Sequence, residues 1–184
     1  MNEEAATRFL ILIVEGEGEG EGGAGNPEVD LARIATPYYA FKKLGSEVVL
    51  ATPLGGPPNL IEGMHSAGLS DTAVQRFRSD RIARDDLADT LGLDQIVVDD
   101  FAAAFCIGLS GKIWTDDNFG VAALVRDFLD VGKPVALVPG KHLLLAPEGA
   151  GNGLLILGDN DESPLCAARA LINVVVDMRR DGHV

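Results

Sequence analysis

With 184 residues, 47% hydrophobic and 23% charged, the chain fits one globular domain and excludes wholesale disorder. Its 28 acidic against 15 basic residues give a net charge of -13, which argues against nucleic acid or a membrane surface as partner. Cys106 and Cys166 are too few for a disulfide framework, and His65, His142 and His183 are too scattered for a local metal motif. No cofactor or metal is expected. The acidic start Met1-Asn2-Glu3-Glu4, with no apolar run near the ~20 residues that cross a bilayer, points to a cytoplasmic protein with reduced thiols.

In chain order, Phe9 to Val14 is a continuous apolar run rich in β-branched residues, the pattern of a strand covered on both faces. A glycine-rich stretch, Glu15 to Asn26, precedes a helix predicted from about Glu28 to Leu44. Gly45 closes it, with Lys42 and Lys43 against its dipole. Pro37 inside it predicts a kink or a restart. Glu47 to Ala51 reads as the second strand, stopped by Pro53 and Gly55-Gly56. The polar stretch 57–90 carries helical pieces near Thr72–Phe77 and Asp85–Leu91.

Ala102 to Ile107 reads as a third buried strand ending at Gly108. A helix follows over about Phe119–Val131, capped by Asp117 or Asn118 and closed by Gly132-Lys133-Pro134. Pro134–Val138 and Leu154–Leu157 supply two more strands. Ser163-Pro164 opens the last helix, which runs to about Arg180. Strands alternating with helices predict a single α/β domain over residues 1–184. Its sheet is doubly wound and mostly parallel, flavodoxin-like, with helices on both faces.

The run from Glu15 to Gly25 satisfies G-x-G-x-x-G twice, after a strand and before a helix. Glu17, Glu19 and Glu21 would set carboxylates where a pyrophosphate must lie, so a dinucleotide site is rejected. Glutamates alternating with glycine repel one another and have much backbone entropy to lose. Glu17–Gly23 is therefore expected to be mobile until a cation or a basic partner neutralises it. Asp99-Asp100 and Asp116-Asp117 sit at element boundaries and read as caps and solvated turns. His142 follows the fourth strand at the sheet's carboxyl edge, where sites form. Cys106 reads as a packed thiol inside an apolar strand, and Cys166 lies in the first turn of the last helix without a recognisable base.

Several segments in the right order resemble the ThiJ/PfpI superfamily, whose fold is class I glutamine-amidotransferase-like. Thr36 to Val48 looks like the family's helix, glycine and second strand, and Ala51-Thr52-Pro53-Leu54-Gly55-Gly56 like the loop that follows. Phe105 to Thr115 is similar to a glycine-rich loop of the glyoxalase III and chaperone-like branch. Val131 to Val138 is similar to the strand before the nucleophile elbow. Leu157 to Ser163 looks like the late glycine–asparagine–proline loop. The resemblance covers most of the chain.

It implies a cysteine directly after the fourth strand, yet the sequence there is Pro139-Gly140-Lys141. Proline has no nucleophile, and its φ near -65° forbids the strained elbow conformation. The family's acidic partner of the cysteine corresponds to Arg33, with Asp30 and Glu28 nearby. About fifteen residues separate Pro139 from Leu154, so the part after the elbow is shortened. The resemblance therefore implies a protein with no catalytic residue, binding a small molecule or a protein partner. Its pocket would lie around Glu15, Arg33, Gly108, Ser110, Pro139, Gly140 and His142. Inactive domains of this kind close large-subunit catalases. The alternative is a hydrolase or glyoxalase-like enzyme with a site rebuilt from Ser110, His142 and an acid such as Glu15. Related folds are frequently dimers, so a homodimer is expected.

Overall fold

Apolar runs alternate with amphipathic helices throughout a computed structural model of the protein, which describes residues 6–14, 29–60, 70–109, 120–139, 155–157 and 163–182. The described elements are β1 (Arg8–Ile13), α1 (Leu31–Lys42), β2 (Glu47–Ala51), α2 (Ser70–Ser79) and α3 (Arg81–Ala88). After them come β3 (Ala103–Leu109), α4 (Val121–Asp130), β4 (Val135–Pro139), β5 (Leu155–Leu157) and α5 (Ser163–Arg180). The strands form one sheet in the order β2-β1-β3-β4-β5. Every pair in it is parallel. That is the doubly wound α/β fold expected, with the flavodoxin-like strand order.

The apolar runs are continuous because both faces of the central strands are covered. Phe9, Ile11 and Ile13 point to one face, where Ile34, Tyr38 and Phe41 of α1 and Leu171 and Val175 of α5 meet them. Leu10 and Leu12 point to the other, under Val121, Val125 and Phe128 of α4 and Phe101, which precedes β3. Each such aliphatic side chain taken from water contributes roughly 1.5–3 kcal/mol. Alternation along β1 thus feeds two separate apolar layers.

Boundaries differ from expectation where a local group decides them. Asp30, in extended conformation, accepts the Arg33 N–H at 3.0 Å and starts α1 at Leu31, not near Glu28. Pro37 neither breaks nor restarts α1, which runs unbroken from Leu31 to Lys42 with Pro37 buried. Asp80 divides the polar stretch into two helices, because its extended backbone and its Oδ1, accepting from Ile82 and Ala83 N–H, cap α3. Leu91 is not helical. Its N–H donates to Leu50 O at 3.0 Å and its carbonyl accepts from Thr52 N at 2.9 Å, so it lines the outer edge of β2. β3 does not stop at Gly108 but passes through it to Leu109. The helix after it is capped by Gly120 at φ 79, without a side-chain bond, while the expected caps Asp117 and Asn118 lie outside the described residues. A left-handed glycine turns the chain into the helix there at no steric cost. The expectation for Glu17–Gly23 lies outside the described residues.

Candidate functional site

The chain leaves β1 for α1 on one face of the sheet and leaves β3 for α4 on the other. In open α/β sheets the carboxyl ends of such a pair of adjacent strands diverge, and ligands bind in the crevice between them. Here that switch point falls between the ends of β1 and β3.

Gly108 occupies that position with a conformation only glycine tolerates well. Ile107 pairs with Val138 and Leu109 with Pro139, so Gly108 is an extra residue in β3, at φ 83. The bulge shifts the alternation by one. Ile107 packs on the α1 face while Leu109, two residues on, packs on the α4 face. A Cβ on residue 108 would lie 2.1 Å from Val14 O and 2.6 Å from Val29 Cγ2. The backbone of β1 and the start of α1 therefore close directly on Gly108, and Val14 N donates to Ile107 O at 2.8 Å to hold them there. Val29 is fully buried in this contact. Sequence reasoning passed over Val29, whose only signal was an apolar residue between Glu28 and Asp30.

Of the expected site residues, Gly108 stands at the switch point and Arg33 in the first turn of α1, half-buried, three residues after the capping Asp30. Pro139 ends β4 in the strand conformation, opposite Leu109. Glu15, Ser110, Gly140 and His142 lie outside the described residues. The strands that lead into them, β1, β3 and β4, end at Ile13, Leu109 and Pro139 and are neighbours in the sheet.

Cys106 is buried in β3, and desolvation pushes its thiol up to about 12. A thiol so disposed stays protonated and unreactive at neutral pH. Cys166 is exposed on α5. Among the described residues, no group of three or more His, Cys, Asp or Glu side chains is placed to hold a metal ion. No helix among them is long and apolar enough to cross a membrane.

No family profile matches the sequence, and no curated protein matches it at a significant level. Solved structures do. The Francisella tularensis Rapid Encystment Protein of 24 kDa superimposes with a TM-score of 0.67 at 12% identity, over 92% of this chain and 99% of that one. A ThiJ/PfpI domain protein from Brachyspira murdochii gives a TM-score of 0.58 at 14% identity, over 94% and 98% of the two chains. A third crystallographic structure gives 0.62 at 17% identity, over 94% and 99%. With the parallel strand order in place and these superpositions beside it, the chain has the fold of the ThiJ/PfpI domain proteins.

Proposed function

We propose that the protein is a ThiJ/PfpI superfamily member without the family's nucleophile, which binds a small molecule or a protein partner instead of turning a substrate over. The observation that carries this reading is the end of β4. The strand closes in Pro139, followed in sequence by Gly140 and Lys141, where the resemblance calls for a cysteine on a strained turn. Without a thiolate at that edge no hemithioacetal or thioester forms. Cys106 does not replace it, because its sulfur is sealed in the sheet. The ligand would sit at the carboxyl edge between β1, β3 and β4, with Gly108 and Arg33 among its surroundings. Dimerisation and a cytoplasmic location belong to the same reading and rest on the resemblance and on composition.

Incubating the purified protein with methylglyoxal tests it. No loss of substrate beyond a protein-free control is expected. Turnover that disappears in Cys106→Ala or Cys166→Ala would overturn the reading, and turnover that disappears in Ser110→Ala or His142→Ala would replace it with the rebuilt-site, glyoxalase-like enzyme.

A further inference from the structure

The two helices between β2 and β3 are attached differently from the other three. Where burial is described along α2 and α3, only Phe77 and Ala83 are buried. Ala73 and Leu87 pack against the same apolar layer, partly buried. Beside them stands a set of polar and aromatic contacts to two adjacent residues of α1. Tyr38 donates its hydroxyl to Asp86 at 2.8 Å, and Tyr39 donates to Asp80 at 2.9 Å. The Phe77 ring meets both tyrosines edge-on, at 5.3 and 6.2 Å between centroids. The Arg76 guanidinium lies 4.0 Å over the Tyr39 ring.

The far boundary of this unit is sharp. Asp89 is exposed, but Thr90 is buried and donates to Gly56 O at 2.6 Å, with Thr52 Oγ1 3.0 Å away. Leu91 is already paired with the edge of β2. From Thr90 onward the chain belongs to the sheet. Before it, residues 70–89 add no strand to the sheet and reach its α1-side apolar layer through four side chains, Phe77 and Ala83 buried and Ala73 and Leu87 partly buried.

We infer that residues 70–89 form an arm that leaves the body as one unit, hinged at Asp89–Thr90, while the five-stranded sheet stays folded. Segments with few buried apolar side chains and side-chain anchoring open at a fraction of the global unfolding free energy. Opening breaks two phenol–carboxylate bonds and withdraws the buried Phe77 and Ala83 with the partly buried Ala73 and Leu87. It breaks no strand pair of the sheet. It uncovers Tyr38 and Tyr39 on the helix that follows Val29, the residue packed against Gly108, so the arm controls access to one side of α1. This inference stands on the arm's contacts alone and does not depend on the binding reading.

Native-state amide exchange on the full chain tests it. The amides of α2 and α3 are expected to exchange together, through one opening, well ahead of those of β1 and β3. Tyr39→Phe and Tyr38→Phe should each speed exchange in the arm about tenfold, the ordinary effect of losing a hydrogen bond to a charged group. Phe128→Leu supplies the decisive arm, because Phe128 lies on α4 in the opposite apolar layer. It should speed exchange in β1 and β3 and leave α2 and α3 unchanged. Equal acceleration of arm and sheet by Phe128→Leu, or protection of the arm equal to that of β3, overturns the inference.

Discussion

Gly108 is where one missing side chain shapes the site. An alanine there meets two penalties: roughly 1–3 kcal/mol for a left-handed non-glycine residue and roughly 1–3 kcal/mol for overpacking. The second applies because its Cβ would fall on Val14 O. Gly132, at φ 77 with open space around it, carries only the first. Gly108→Ala should therefore destabilise by about 2–6 kcal/mol and Gly132→Ala by about 1–3 kcal/mol, read from urea midpoints at constant slope. The Tyr39–Asp80 pair predicts how stability varies with pH. The Tyr39 hydroxyl, chief among several donors, holds the Asp80 carboxyl below its ordinary range. The stabilisation from Asp80 is present above the ordinary carboxylate value and is lost as pH falls through the depressed one. Burial, reinforced by the bond to Asp80, pushes Tyr39 up from 10.0 to about 12. Its stabilisation is full below 10.0 and is lost as pH rises towards 12. Stability measured against pH should thus lose part of its acid decline in Asp80→Asn and part of its alkaline decline in Tyr39→Phe.

Among the elements, α1 joins the site to the core. Its Phe41 is fully buried, stacked on Phe9 of β1 at 4.3 Å and edge-on to Phe105 of β3 at 5.7 Å. Phe41→Ala removes a large ring from a layer that cannot close around the gap and should cost about 3–5 kcal/mol, read from the chemical denaturation midpoint. The existence of α1 was legible in the sequence from its apolar spacing, its lysines and Gly45. Its start was not, because Glu28, Asp30 and the residues between them offer several caps, and only the bond from Arg33 N–H to Asp30 selects one. The same holds for α2 and α3. Their helical character could be read, but their division at Asp80 follows from a carboxylate that caps α3 and also takes the Tyr39 hydroxyl from 41 residues away.

For the whole molecule, charge and fold similarity act at different levels. A net charge of -13 repels itself in the compact state, an effect screened as the Debye length falls from ~30 Å at 0.01 M salt to ~8 Å at 0.15 M. Raising sodium chloride between those values should stabilise the fold by about 1 kcal/mol, a rise in thermal midpoint of roughly 2–4 °C for a chain of this size. Scanning calorimetry would read it directly. The similarity to solved structures persists at 12–17% identity over more than nine tenths of this chain. What is shared is therefore the pattern of buried runs and their order, not particular side chains, and the chemistry at the carboxyl edge belongs to each chain separately.

The sequence by itself determined the strands, their parallel arrangement and the doubly wound class. A strand buried on both faces must be apolar at every position, and Phe9–Val14, Ala102–Ile107 and Pro134–Val138 are. It also marked Gly108 and Arg33 as residues of interest, and Cys106 as an inert thiol. Only the tertiary structure decided what Gly108 does there. Its bulge, its contact with Val14 O and the burial of Val29 against it arise between segments far apart in the chain, where no local pattern records them. Leu91 on the edge of β2 and the tyrosine latch on α2 and α3 were decided in the same way, by backbone and side-chain partners about 40 residues distant. Periodicity reports which face a residue turns to solvent or core, whereas the identity of its partner is set only when the layers close on one another.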